Sequence, residues 1–205
     1  LTAFARPTMA HLRPLADDEI PHADIVERFR HYEATRGFVP NSIRTMARRP
    51  EVVRAFMALN QAVLYEGSVP TALKMLVALA TSLAAGCRYC QSHMANLSSI
   101  WQVPDEKIAA IWELDRSEAF SAAEKAAIGL ALKAGMVPNA ASAEDFDALR
   151  PHFDEAQVVE IVATIALFGY LNRWNDTMAT ALEPLPAQVA ERAVGVVGWV
   201  PGKHG

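Results

Sequence analysis

Two cysteines three positions apart, Cys87 and Cys90, with His93 another three positions on, are the residues of this chain best suited to chemistry. They lie in the run Gly86-Cys87-Arg88-Tyr89-Cys90-Gln91-Ser92-His93. Gly86 is a natural stop for an apolar helix before it, so Cys87 opens the next helix and both sulfurs fall in its first turn or so. Residues at i and i+3 share a helix face, which brings the thiols within disulfide reach without moving the backbone. Unpaired backbone N–H groups at a helix start favour negative charge and raise the thiolate fraction. His93 projects from the same face as Cys90 and can take or relay its proton. A nucleophile, a resolving thiol and a base are thus collected within seven residues. This is the equipment of a redox-active dithiol: a thiolate attacks a peroxide O–O bond, the sulfenic acid condenses with the neighbouring thiol, and an external reductant reopens the disulfide.

Other readings of the motif compete. Zinc held by Cys87, Cys90 and His93 lacks a fourth ligand, because His11, His22, His31, His152 and His204 are scattered along the chain. Buried cysteines also serve as small apolar fillers beside a satisfied core histidine, a reading that weakens for a clustered Cys-x-x-Cys-x-x-His after Gly. Covalent haem attachment is excluded because Gln91, not His, follows Cys90. A thioredoxin-like motif needs a strand before it, and here an apolar helix precedes it.

The elements that must hold this motif are helical throughout. Ala, Leu, Glu, Lys and Arg dominate, and no segment sustains an alternation of apolar and polar residues. Punctuation by Pro and Gly predicts helices over 21–37, 42–48, 50–67, 70–86, 87–101, 104–112, 121–135, 143–149, 155–182 and 186–194, with 195–205 as a tail. Ser121 and Glu124 have capping-box spacing. The organisation reads as an N-terminal helical extension (1–49), a core carrying the Cys-x-x-Cys motif and a degenerate second repeat (50–182), and a C-terminal helix and tail (183–205). The repeat rests on a constant offset of 85 that lays 74–94 on 159–179, matching Arg88 with Arg173, Tyr89 with Trp174, and Cys87 and Cys90 with Asn172 and Asn175. Trp101, Trp112 and Trp174 read as core aromatics, with Tyr89 and Trp174 the better candidates for a pocket wall. Arg173 and Asp176 have ion-pair spacing, and 198–204 reads most simply as an untethered tail, with docking on a neighbouring subunit as the alternative.

Composition narrows the partners. The chain has 205 residues, 52% of them hydrophobic, enough for a sizeable core, and a net charge of −4 from 23 acidic and 19 basic residues. That balance gives little attraction for a phosphate backbone, so no nucleic acid is expected. No apolar run reaches the ~20 residues of a membrane span, and residues 1–20 lack a signal peptide's apolar core. Two closely spaced cysteines build no disulfide framework. The expectation is a soluble, cytoplasmic protein with no membrane partner.

At these residues the sequence resembles the AhpD-like superfamily, the alkylhydroperoxidase and carboxymuconolactone decarboxylase group. The resemblance rests on the apolar stretch 76–85, on Gly-Cys-Arg-Tyr-Cys at 86–90, and on Glu160-Ile161-Val162 through Leu171-Asn172-Arg173, similar to the second half of two-repeat, peroxidase-related members. It implies an all-α helical bundle, a homo-oligomer, and a peroxidase cycle in which Cys90 attacks and Cys87 resolves. The peroxidase branch carries Glu-x11-Cys-x2-Cys-x3-His, with the Glu and His forming a proton relay. Here Met75 stands at the Glu position and Met94 at the His position, with the histidine one place early at His93. Glu66 and Glu160 are the candidates for the missing carboxylate. The resulting expectation is thiol-dependent hydroperoxide reduction by Cys87, Cys90 and His93, with no dissociable cofactor or metal and with a thiol or dithiol protein as reductant. A carboxymuconolactone decarboxylase-like lyase and a non-catalytic oligomeric binding protein are the alternatives.

Overall fold

In the computed structural model, which describes residues 10–205, the chain folds into α-helices joined by short turns, with no strand among the described residues. The first nine residues of the expected N-terminal extension, and that part of the signal-peptide reading, lie outside the described residues. The helices are α1 (Ala23–Arg36), α2 (Asn41–Met46), α3 (Pro50–Tyr65), α4 (Thr71–Ala84), α5 (Arg88–Ile100), α6 (Asp105–Ala109), α7 (Ala122–Ala134), α8 (Ala143–Leu149), α9 (Glu155–Met178) and α10 (Pro184–Val194). Starts and stops follow the local chemistry. The Ser121–Glu124 capping box forms as expected, Asp154 and Gln157 make a second one at the head of α9, and left-handed Gly37 closes α1. No helix among the described residues is long and apolar enough to cross a membrane.

α4 sits at the centre, packed against α5, α7 and α9. Its residues 73–82 are all buried, as befits a helix that is apolar around its circumference. Met75 is fully enclosed there. Lys74 is the exception to the apolar pattern. Only 1% exposed, its ammonium reaches Glu160 Oε2 at 2.8 Å and the Val63 carbonyl at 3.0 Å. Glu160 also accepts from the Ser68 and Val69 amides at 2.8 and 3.0 Å. Burial opposes its ionisation, but Lys74 and the two amides outweigh that and hold the carboxyl at about 2. Gly67, at φ +91, is required here because a Cβ would stand 2.4 Å from the Glu160 carboxylate. Glu160 is therefore a structural counter-ion and does not face the thiols. Glu160→Ala strands a buried ammonium, and thermal unfolding should show a loss of about 3 kcal/mol, several degrees in Tm for a chain of this size. An unchanged melting curve would show that water reaches Lys74 freely.

Two sequence expectations change in the C-terminal third. α9 stops at Met178, four residues early, because Ala179 takes a left-handed conformation at φ +47 and turns the chain back. α9 is also continuous through the positions that the 85-residue offset matches to the break between α4 and α5, so the two stretches differ in conformation. Finally, the tail is pinned within its own chain. Trp199, 5% exposed, donates from its indole N–H to the Arg88 carbonyl at 3.4 Å, and the Leu182 amide donates to the His204 carbonyl at 2.8 Å. Burial of an indole and an imidazole supplies the anchoring that polarity arguments about a terminus overlook.

Candidate active site

Gly86 sets the geometry. At φ +74 it turns the chain out of α4, and Cys87 follows in extended conformation as the N-cap of α5. Cys90 then falls in the first turn of α5. Both cysteines are free and buried. The thiols share a hydrogen bond that lowers Cys87 to about 6 against the opposing effect of burial, with further help from His204 and the Cys90 amide. Burial, and then the neighbouring Cys87 sulfur, push Cys90 well above the ordinary thiol range. Of the pair, Cys87 is the sulfur whose charged form is favoured and Cys90 the one that holds its proton. From α9, Asn175 Nδ2 donates to Cys90 Sγ at 3.3 Å, so a thiolate on Cys90 also finds a donor.

His204 arrives from the far end of the chain. Its Nδ1 lies 2.9 Å from the Thr180 carbonyl, an acceptor only, which assigns the proton to Nδ1 and turns Nε2 toward Cys87 and Asp176. Burial works against protonation of His204, but the Cys87 sulfur and the Thr180 carbonyl outweigh it and raise the imidazole above its ordinary value. His204 and Cys87 thus each favour the charged form of the other. In His204→Gln, the ultraviolet thiolate absorbance should titrate at higher pH than the value of about 6 that holds for Cys87 in the wild type. An unmoved midpoint in a folded variant would remove His204 from the site.

The Cys87 sulfur, one Asp176 oxygen and His204 Nε2 lie within 4.8 Å of one another, a donor set of the kind that binds zinc. Asp176 is engaged by Lys203 Nζ at 2.8 Å rather than by Arg173, the partner its spacing suggested. The other set considered for zinc, Cys87, Cys90 and His93, does not come together as a ligand cluster among the described residues.

His93 is held by the carboxylate of Glu183, the N-cap residue of α10. Its Oε2 lies 2.7 Å from His93 Nε2, its Oε1 accepts from Tyr89 Oη at 2.8 Å, and the Asn41 amide also donates to it. Burial opposes its ionisation; the His93 imidazole and the Asn41 amide overcome that and hold it below its ordinary value. An ionised Glu183 makes His93 Nε2 the donor and leaves Nδ1 with a free lone pair. Tyr89 stacks on the His93 ring at 4.2 Å between centroids, and Phe38 meets it edge-on at 5.4 Å, so the imidazole is fixed in place. Neither sequence candidate for the relay carboxylate is used: Glu160 pairs with Lys74, and Glu66 offers its backbone carbonyl to the same ammonium.

Cys90 and His93 line one chamber of about 50 Å³, together with Tyr89, Asn175 and the apolar side chains Phe56 and Phe168. Cys87 does not line it. Tyr89 is a wall residue, as anticipated, and Trp174 is not; Trp101, expected in the core, is 44% exposed and lines a neighbouring cavity.

The carboxymuconolactone decarboxylase family profile matches residues 50–133, which carry both cysteines and His93. The debrominase Bmp8 is 34% identical over 88% of this chain and 96% of its own, with a TM-score of 0.81. The chain belongs to the AhpD-like superfamily, in its carboxymuconolactone decarboxylase family. A cysteine-to-alanine variant of the same debrominase, crystallised with 2,3,4-tribromopyrrole, is 32% identical over 92% and 100% of the two chains, TM-score 0.83. An AhpD-core, peroxidase-related protein from Ralstonia eutropha is 26% identical over 89% and 96%, TM-score 0.77. No protein of curated function matches significantly. Family and neighbours are enzymes of differing activity, and the AhpD-like chain shares their all-α fold.

Sequence reasoning missed Glu183, Asn175 and His204. Asn175 was within reach, since the offset of 85 placed it opposite Cys90, the residue it touches. Glu183 and His204 lie 90 or more residues from the motif, and nothing local to them signals a role.

Proposed function

We propose that this protein is a thiol-dependent reductase of hydroperoxides, cycling Cys87 and Cys90 between dithiol and disulfide. The observation that carries the reading is that Cys90 alone of the pair faces the chamber, together with His93, which Glu183 holds from behind. His93 Nδ1 takes the Cys90 proton, and the Cys90 thiolate attacks the distal peroxide oxygen. The O–O bond breaks, Cys90 becomes a sulfenic acid, and the alkoxide leaves with the proton from His93. The Cys87 thiolate, kept charged by His204, then attacks the Cys90 sulfur and displaces hydroxide. In sum, one thiol, one thiolate and one hydroperoxide become a disulfide, an alcohol and hydroxide. A dithiol protein restores the thiols by exchange. Glu183 orients His93 and stabilises its imidazolium.

The similarity to the debrominase favours a second substrate class for the same pair of electrons. A carbon–bromine bond would be exchanged for carbon–hydrogen, with bromide released and the same disulfide formed.

One equivalent of cumene hydroperoxide, and separately of a bromopyrrole, added to the reduced protein tests both. Loss of two thiols, a mass two hydrogens lighter and recovery with dithiothreitol are expected with the hydroperoxide. Thiols that survive it would overturn that reading, and bromide release with thiol loss would install the second.

A further inference from the structure

The chamber over Cys90 is small, and a second cavity of about 200 Å³ lies beside it. Tyr32, Arg36, Asn60 and Leu97 line both, so the two adjoin across these side chains. Arg28, Tyr32 and Arg36 are spaced by four along α1 and therefore share one face of that helix. The Arg36 guanidinium lies 4.5 Å from the centre of the Tyr32 ring and donates to Tyr65 Oη at 2.7 Å. The Arg28 guanidinium lies 5.6 Å from the same ring and donates to Gln61 Oε1 at 3.2 Å.

All these partners are neutral. Asp24, one turn before Arg28, is turned to Arg54, which donates to it at 2.7 and 2.9 Å. No Asp or Glu lines the outer cavity, whereas Arg13, Arg44, Arg54, Arg150 and Arg192 each face a carboxylate. In a chain of net charge −4, two half-buried guanidinia held by aromatic rings and neutral oxygens make a local positive mouth. A guanidinium has five donors in a planar fork that suits a carboxylate, and one neutral hydrogen bond leaves most of them unused.

We infer that the substrate bears a carboxylate, which Arg28 and Arg36 bind in the outer cavity while its electrophilic group enters the Cys90 chamber. Phe56, Leu64 and Phe168 around that chamber require an apolar body between the two ends. This assignment rests on the reductase reading above, and it names the substrate as a hydroperoxide of an apolar carboxylic acid. The bonds exchanged are those already given, with a dithiol protein as reductant; the carboxylate is unchanged and serves only to hold and orient.

The test compares para-carboxylated cumene hydroperoxide with its methyl ester. The wild type should favour the acid by about tenfold or more in kcat/KM, through KM, as charge-assisted hydrogen bonds require. In the Arg28→Gln, Arg36→Gln double variant the preference should shrink to about twofold or less, and Arg36→Lys should keep part of it. Equal kcat/KM for acid and ester in the wild type, or a preference that survives the double substitution, overturns the inference. Binding of the corresponding tertiary alcohols to the Cys90→Ser protein reads the same site without turnover. Should the wild type consume neither hydroperoxide, the peroxidase reading fails by itself. Tighter binding of the acid alcohol than of its ester would then still uphold the anion site, and equal binding would overturn it.

Discussion

Cys90→Ser should lower hydroperoxide turnover by at least about a thousandfold, the scale of losing a nucleophile that works with a positioned base. A serine hydroxyl has nearly the volume of the thiol and keeps the Asn175 donor, so the fold should be retained. Its oxygen neither ionises near neutral pH nor accepts an oxygen atom from a peroxide. Cys87→Ser should behave differently. Because Cys90 and His93 still share the chamber, one equivalent of peroxide should be consumed in a burst that halts at the sulfenic acid. Stopped-flow peroxide assays with a sulfenic-acid trap separate the two variants. If Cys87→Ser abolishes the burst while Cys90→Ser keeps it, the assignment of attacking and resolving sulfur is reversed.

Glu183→Gln should cost about 10²–10⁴-fold in kcat, the range spanned by general acid–base catalysis. Three donors, from His93, Tyr89 and the Asn41 amide, converge on the two carboxylate oxygens. An amide supplies one acceptor oxygen and turns an NH2 toward the rest, which frees His93 to rotate and removes the charge that stabilises its imidazolium. The same mismatch should lower stability by about 1–3 kcal/mol, so activity must be measured well below the melting transition. Glu183→Asp, which keeps the charge, should recover part of the rate. The sign of the pH effect follows from the direction of the Glu183 shift. Its carboxyl is held below the ordinary value when folded, so its stabilising contribution is complete above the ordinary glutamate range and is lost as pH falls through the folded value. In the Gln variant this acid-side loss of stability should disappear. A variant with wild-type kcat and an unchanged acid limb would exclude Glu183 from the relay.

The fold was largely legible because its signals are local. Pro and Gly punctuation, the Ser121 capping box and the apolar circumference of α4 each act within a few residues, and the helices form near the expected positions. The cysteine motif was legible for the same reason: Cys87, Cys90 and His93 are positioned by one helix start. The rest of the site is tertiary. Met75 marks the absence of a relay acid within α4, but only the reversal at Ala179 brings Glu183 to His93, and a left-handed alanine leaves no mark in a sequence. The tail misled for a related reason. Its Gly and Pro content reads as a loose end, while the burial of Trp199 and His204 depends on a slot formed by α5 and the 179–183 turn.

The separation of the site's parts along the chain carries a consequence for how the protein is made. His93 and Glu183 are 90 residues apart, and His204 lies still farther from Cys87. Contacts of such long range form late, after loop closure has been compensated by packing. Until then, Cys87 lacks His204 and a sequestered Cys90 proton, and it ionises as an ordinary thiol. In a half-folded chain Cys90 therefore lacks the His93–Glu183 pair that takes its proton, and Cys87 lacks His204, and both are lost again on unfolding. Folding itself assembles the cycle: closing residues 179–205 onto α5 supplies both thiols with the groups that move their protons.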